Sequence, residues 1–115
     1  PDLIRKNNGI LHFFDEKETW YRRELAATAE AVKKSGVIAE INTGAIARKK
    51  MDDVYPSAEF LSMLHDKGVP VTINSDAHRG CDLDCAFDRA VECAKKSGYT
   101  EVMLLHAGSV KSQKI

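Results

Sequence analysis

Gly68-Val69-Pro70-Val71-Thr72-Ile73-Asn74-Ser75-Asp76-Ala77-His78 decides how this chain is read. A glycine stop gives way to a β-branched run, which ends in a cluster of polar side chains. Val, Ile and Thr are stiff at χ1 and suit a pleated strand. Pro70 stands at the start of the run, where no ladder donor is lost. Upstream, Gly36-Val37-Ile38-Ala39-Glu40-Ile41-Asn42-Thr43-Gly44 has the same form, and Glu101-Val102-Met103-Leu104-Leu105 follows Gly98 in the same way. Three strands are expected, each preceded by a glycine that ends a helix.

The segments before those glycines carry helical spacing. From Thr19 to Ser35, Leu25, Ala29 and Val32 recur every three or four residues, as one face of a helix requires. Pro56 and Ser57 punctuate the start of a second helix with Phe60, Leu61 and Leu64, and a third is expected over 83–97 with Phe87, Ala90, Val91 and Ala94 on one stripe. Pro1 to Lys6 reads as a short helical turn stopped near Asn7-Asn8-Gly9, the stretch around Arg48 as a loop, and the lysine-bearing tail after Gly108 as exposed. The order α, β, α, β, α, β predicts an α/β unit of about three parallel strands alternating with helices. The first strand is almost wholly apolar up to Glu40, which predicts a sheet covered on both faces.

The chain has 115 residues, 43% of them hydrophobic and 30% charged, the make-up of a globular domain with one modest core. Seventeen basic residues balance seventeen acidic ones, so no global field draws nucleic acid or an anionic membrane, and an anion site must be local. The apolar runs fall far short of the ~20 residues of a membrane helix and no secretory signal opens the chain, which predicts a cytoplasmic protein. Cys81, Cys85 and Cys93 lack C-x-x-C spacing and read as reduced thiols.

In parallel α/β folds chemistry collects at the C-terminal ends of the strands. Asp76 and His78 stand at such an end, two apart, so an extended backbone turns both to one side, where they offer a carboxylate oxygen and an imidazole nitrogen to a metal. A capping Asp beside a surface His is the alternative on spacing alone. Arg48 is the natural phosphate clamp, because a guanidinium fork matches a phosphate better than a point charge does; against this stands a solvated basic loop, Arg48-Lys49-Lys50. Glu40 and Asn42 share a strand face, and Glu40 needs a partner, Arg48 or a loop backbone. His106 is a weaker ligand candidate, and His12 and His65 look incidental.

With these residues in place, Glu40-Ile41-Asn42-Thr43-Gly44-Ala45-Ile46-Ala47-Arg48, then Tyr55-Pro56-Ser57, then Gly68 to His78 resemble the histidinol phosphatases of the polymerase and histidinol phosphatase (PHP) superfamily. Pro1-Asp2-Leu3-Ile4 also resembles the segment that follows a metal-binding His in that family. The resemblance implies that residues 1–115 are the C-terminal portion of a single PHP domain whose N-terminal half is absent, a fragment of a distorted (β/α)₇ barrel holding two or three divalent ions, Zn, Mn or Fe. Asp76 and His78 match two of its metal ligands, and Arg48 matches an arginine on the substrate phosphate.

The reaction so implied is hydrolysis of L-histidinol phosphate to L-histidinol and phosphate, a step of histidine biosynthesis, with Asp76, His78 and Arg48 as its catalytic residues here: Arg48 neutralises phosphate oxygens and Asp76 also receives a proton from the nucleophilic water. The isolated chain is expected to be inactive, because two ligands fall short of the three a catalytic metal needs. Its exposed sheet edges are expected to favour self-association. The alternatives are a PHP phosphoesterase acting on nucleotides or polynucleotides, and a non-catalytic PHP-like interaction module.

Overall fold

The strand pattern is realised as two separate small sheets. The computed structural model describes residues 2–50 and 52–115 and contains, in order, α1 (Asp2–Leu11), α2 (Thr19–Ser35), β1 (Ala39–Asn42), α3 (Gly44–Ala47), α4 (Ala58–Asp66), β2 (Val71–Asn74), a 3₁₀ turn (Gly80–Asp82), α5 (Phe87–Lys96), β3 (Glu101–His106) and β4 (Ser109–Lys114). β1 and β2 pair in parallel with Ala39 opposite Val71 and Asn42 opposite Asn74. β3 and β4 form an antiparallel hairpin with Glu101 opposite Lys114 and His106 opposite Ser109.

This corrects the expected fragment of a (β/α)₇ barrel with three parallel strands. Among the described residues only one pair is parallel and no barrel closes, and the third strand joins a hairpin in a sheet of its own. The cause is the turn. Ala107 and Gly108 both adopt positive φ, 49° and 76°, as a two-residue hairpin turn that matches strand twist requires. The tail thereby folds back and takes up the β3 backbone groups; β4 is exposed along its whole length, while Ile115 packs against the core.

Three local expectations are also corrected. α1 does not stop at Gly9 but runs to Leu11, after which His12 takes the left-handed conformation at φ 48°; Pro1 of the expected turn lies outside the described residues. The stretch read as a loop before Arg48 opens with the helical turn α3. The helix expected over 83–97 is preceded by the 3₁₀ turn and begins at Phe87.

The core lies on one side of the parallel pair. Tyr21, Leu25 and Ala29 of α2, Phe60, Leu61 and Leu64 of α4, and Ala90 and Ala94 of α5 are buried with Ile41, Val71 and Ile73 of the strands. Each helix thus buries the stripe its spacing predicts. Ser57 caps α4 by accepting a hydrogen bond from the Phe60 backbone N–H at 3.3 Å, which satisfies one of the first-turn donors. Surface pairs tie α2 to α4, Arg22 to Glu59 at 2.6 Å and Lys67 to Glu30 at 2.8 Å.

The other face of the parallel pair is open, against the expectation of two covered faces. Alternation explains it: Ala39 and Ile41 turn to the core while Glu40 and Asn42 turn away, opposite Thr72 and Asn74. Beside this polar row, Ile38, Ile73, Met103, Leu104, Leu105 and Val110 help line a trough of about 480 Å³ between β2 and the hairpin. The outer edge of β1 is closed at Asn42, whose backbone exchanges two hydrogen bonds with Tyr55, at 2.7 and 2.9 Å. No helix among the described residues is long and apolar enough to cross a membrane.

Candidate functional site

The C-terminal ends of β1 and β2 bring Arg48, Asp76 and His78 together. Thr43 follows β1 and α3, opening at Gly44, carries the chain to Arg48, whose side chain folds back over the strand ends. Gly44 makes the room. A Cβ there would stand 2.7 Å from Arg48 Nη2, 2.8 Å from Nη1 and 2.9 Å from the Ser75 carbonyl oxygen, distances that no side chain tolerates without displacement. The basic run is therefore divided: the Arg48 side chain is 29% exposed, while Lys49 and Lys50 face solvent.

Arg48 makes three contacts beyond β2. Its Nη2 donates to Asp76 Oδ2 at 2.8 Å, and its Nη1 donates to the Asp76 carbonyl oxygen at 3.0 Å and meets His78 Nδ1 at 3.0 Å. A guanidinium has no acceptor atom, so His78 Nδ1 must offer its lone pair and the neutral ring carries its proton on Nε2. Asp76 takes the left-handed conformation at φ 50°, a geometry Asp tolerates better than most residues. It lets main-chain and side-chain oxygens of one residue reach the same guanidinium.

Electrostatics follow from this packing. The hydrogen bond from Arg48 holds the Asp76 carboxyl below the usual carboxylate range, with help from the Arg48 charge and the Asn42 amide and against partial burial. Asp76 is thus a permanent anion near neutral pH and a poor proton acceptor. In the following turn, Arg79 grips Asp82 with two bonds, at 3.0 and 3.2 Å, and that hydrogen-bonded fork depresses the Asp82 carboxyl.

Glu40 does not bond Arg48. Its two oxygens accept from the side-chain amides of Asn42 at 2.7 Å and Asn74 at 2.6 Å, while Asn42 Oδ1 accepts from the Gly44 N–H at 2.9 Å. A continuous polar row thus runs along the open face to the Arg48 cluster. Asn74 and Gly44 are the members that reading the sequence passed over as site residues. Asn74 had a signal, since register with Asn42 places it on the Glu40 face. His106 stands exposed at the hairpin turn, opposite Ser109, and His65 packs edge-on to Tyr99 with ring centroids 5.1 Å apart.

The donor chemistry of Asp76 and His78 suits a divalent cation: a carboxylate oxygen and an imidazole lone pair already converge on one positive group. Two donors alone do not make a metal site, and no group of three or more His, Cys, Asp and Glu residues gathers among the described residues.

The depressed carboxyls set an acid limit on stability. Asp76, Asp82, Glu30 and Glu92 all titrate below their ordinary values, chiefly through hydrogen bonds from Arg48, Arg79, Lys67 and Lys96 respectively. The unfolded chain then binds protons more readily than the folded one. The stabilisation is present above the unfolded carboxyl values of about 4 and is lost as pH falls through the lower folded ones. Urea midpoints measured across the acid range are expected to drop below about pH 4, and Asp82→Asn is expected to flatten the drop.

No protein-family model and no curated protein matches this chain.

Proposed function

We propose that this chain is part of a metal-dependent phosphoesterase of the PHP type, a phosphoric monoester hydrolase acting in the cytoplasm on histidinol phosphate. The observation that supports it is the convergence of Asp76 and His78 donor atoms on Arg48 at the strand ends. Asp76 and His78 would hold a divalent ion, Zn, Mn or Fe, together with ligands supplied by chain preceding Pro1. Such an ion, when bound, lowers the pKa of water and neutralises phosphate charge.

The chain's own residues do the rest. Arg48 presents a planar fork to two phosphate oxygens and offsets the charge that develops on them. Asp76, fixed as an anion by Arg48 and Asn42, holds cationic groups rather than accepting a proton. Glu40, braced by Asn42 and Asn74, keeps a second carboxylate on the open face within the same polar row, where it suits the ammonium end of an amino-alkyl phosphate.

The test is phosphate release by the protein extended with its preceding sequence and loaded with manganese, measured on histidinol phosphate, nucleoside monophosphates and a short oligonucleotide. Preferential release from histidinol phosphate is expected. Release confined to nucleotides or the oligonucleotide, or none from a folded, loaded protein, would overturn the assignment.

A further inference from the structure

The trough between β2 and the hairpin has a carboxylate on its rim. Glu40 lies opposite Thr72 in the parallel register, one step before the Asn42 and Asn74 pair on the same face, and it follows Ile38 by two residues. Ile38, Thr72 and Asn74 all line the trough, and the Asn74 amide donates to Glu40 Oε2 at 2.6 Å. The carboxylate is therefore one hydrogen bond away from the lining.

Glu40 is braced but not neutralised. Its oxygens accept from the amides of Asn42 and Asn74, and no basic side chain pairs with it among the described residues. A carboxylate offers about four lone-pair positions, so the two amides fix its orientation and leave the others open to a further donor. Amides carry no charge, and the negative charge stays uncompensated.

The hairpin supplies the opposite chemistry. Met103, Leu104, Leu105 and Val110 line its side of the trough, with Leu105 79% exposed and Val110 55%. At about 480 Å³ the trough has the size of a small-molecule site, in which an apolar lining carries a few placed polar groups.

We propose that the trough binds a small primary amine bearing an apolar group, with the ammonium on Glu40 and the apolar group against Met103, Leu105 and Val110. Charge singles out the ammonium: a hydroxyl donor gains a hydrogen bond to Glu40 without the added attraction, and an anionic ligand is repelled. The inference rests on the proposed reading for the contact between Glu40 and an ammonium, and adds the apolar part of the ligand.

The experiment is an NMR titration of the 115-residue chain at neutral pH with hexylamine, hexanol and hexanoate, which share one apolar chain and differ in charge. Hexylamine is expected to shift the side-chain amide signals of Asn42 and Asn74 and the methyl signals of Met103, Leu105 and Val110. It is expected to bind on the order of tenfold more tightly than hexanoate, since one charge gains from Glu40 what the other loses. Glu40→Gln is expected to erase the preference for hexylamine over hexanol while hexanol binds as before. Leu105→Asn, at a position exposed enough to spare the fold, is expected to weaken hexylamine and hexanol alike.

Equal binding of hexanoate and hexylamine, a preference that survives in folded Glu40→Gln, shifts confined to residues outside the trough, or a dimer that closes the trough to all three probes would each overturn the inference. Selective amine binding by a chain whose extended form releases no phosphate overturns the activity alone. Phosphate release without amine selectivity overturns the trough site alone.

Discussion

Gly44→Ala is expected to expel Arg48 from the strand ends and to destabilise the fold by about 1–3 kcal/mol, the usual effect of overpacking. The new methyl meets two kinds of neighbour. The Arg48 nitrogens at 2.7 and 2.8 Å belong to a long side chain that can swing away, but the Ser75 carbonyl at 2.9 Å belongs to the backbone just after β2. That carbonyl sits beside the Thr43 N–H to Asn74 carbonyl bond of 3.0 Å, which continues the parallel ladder. Relief of the clash therefore loosens the end of the sheet as well as the arginine. Urea unfolding measures the stability loss, and the Arg48 Nε–H resonance, tracked by NMR, reports departure from Asp76.

Leu61→Ala is expected to cost about 2–5 kcal/mol, the range for a buried leucine whose site collapses only partly. Leu61 is fully buried on α4, within the cluster that joins Tyr21 and Leu25 of α2 to Ile41 and Val71 of the strands. α2 and α4 reach each other through that cluster, while the Arg22–Glu59 and Lys67–Glu30 pairs lie at the surface and contribute little. The loss is read from the shift in urea midpoint at unchanged slope. A change below about 1 kcal/mol would place the weight of the core elsewhere.

Helices α2, α4 and α5 and the parallel pair were legible because burial wrote them into the chain. Leu25 and Ala29, Phe60 and Leu61, and Ala90 and Ala94 are buried where helical spacing places them, and Gly36 and Gly68 end their helices at φ 67° and 64°. The hairpin was not legible. Ser109-Val110-Lys111-Ser112-Gln113-Lys114 has one apolar residue, so no period-two signal marks it as a strand; it is held by backbone pairing behind the Ala107-Gly108 turn. Gly9 misled for a related reason, since glycine is tolerated inside a helix at a modest cost and α1 runs through it.

The candidate site was legible in its members but not in their arrangement. Motif position singled out Asp76, His78 and Arg48. A run of three basic residues cannot by itself say which one turns inward, and that choice is made by the missing Cβ of Gly44 four residues earlier. Likewise Glu40 was expected to need a partner, but its choice of Asn42 and Asn74 over Arg48 depends on the parallel register, which pairs Asn42 with Asn74.

The most direct test of the central claim is manganese-dependent phosphate release from histidinol phosphate by the extended protein, wild type against Asp76→Ala and Arg48→Ala. Losses of about 10²–10³-fold in both variants are predicted, the scale for removing a group that stabilises developing charge. Release that survives both substitutions in folded protein would contradict the account.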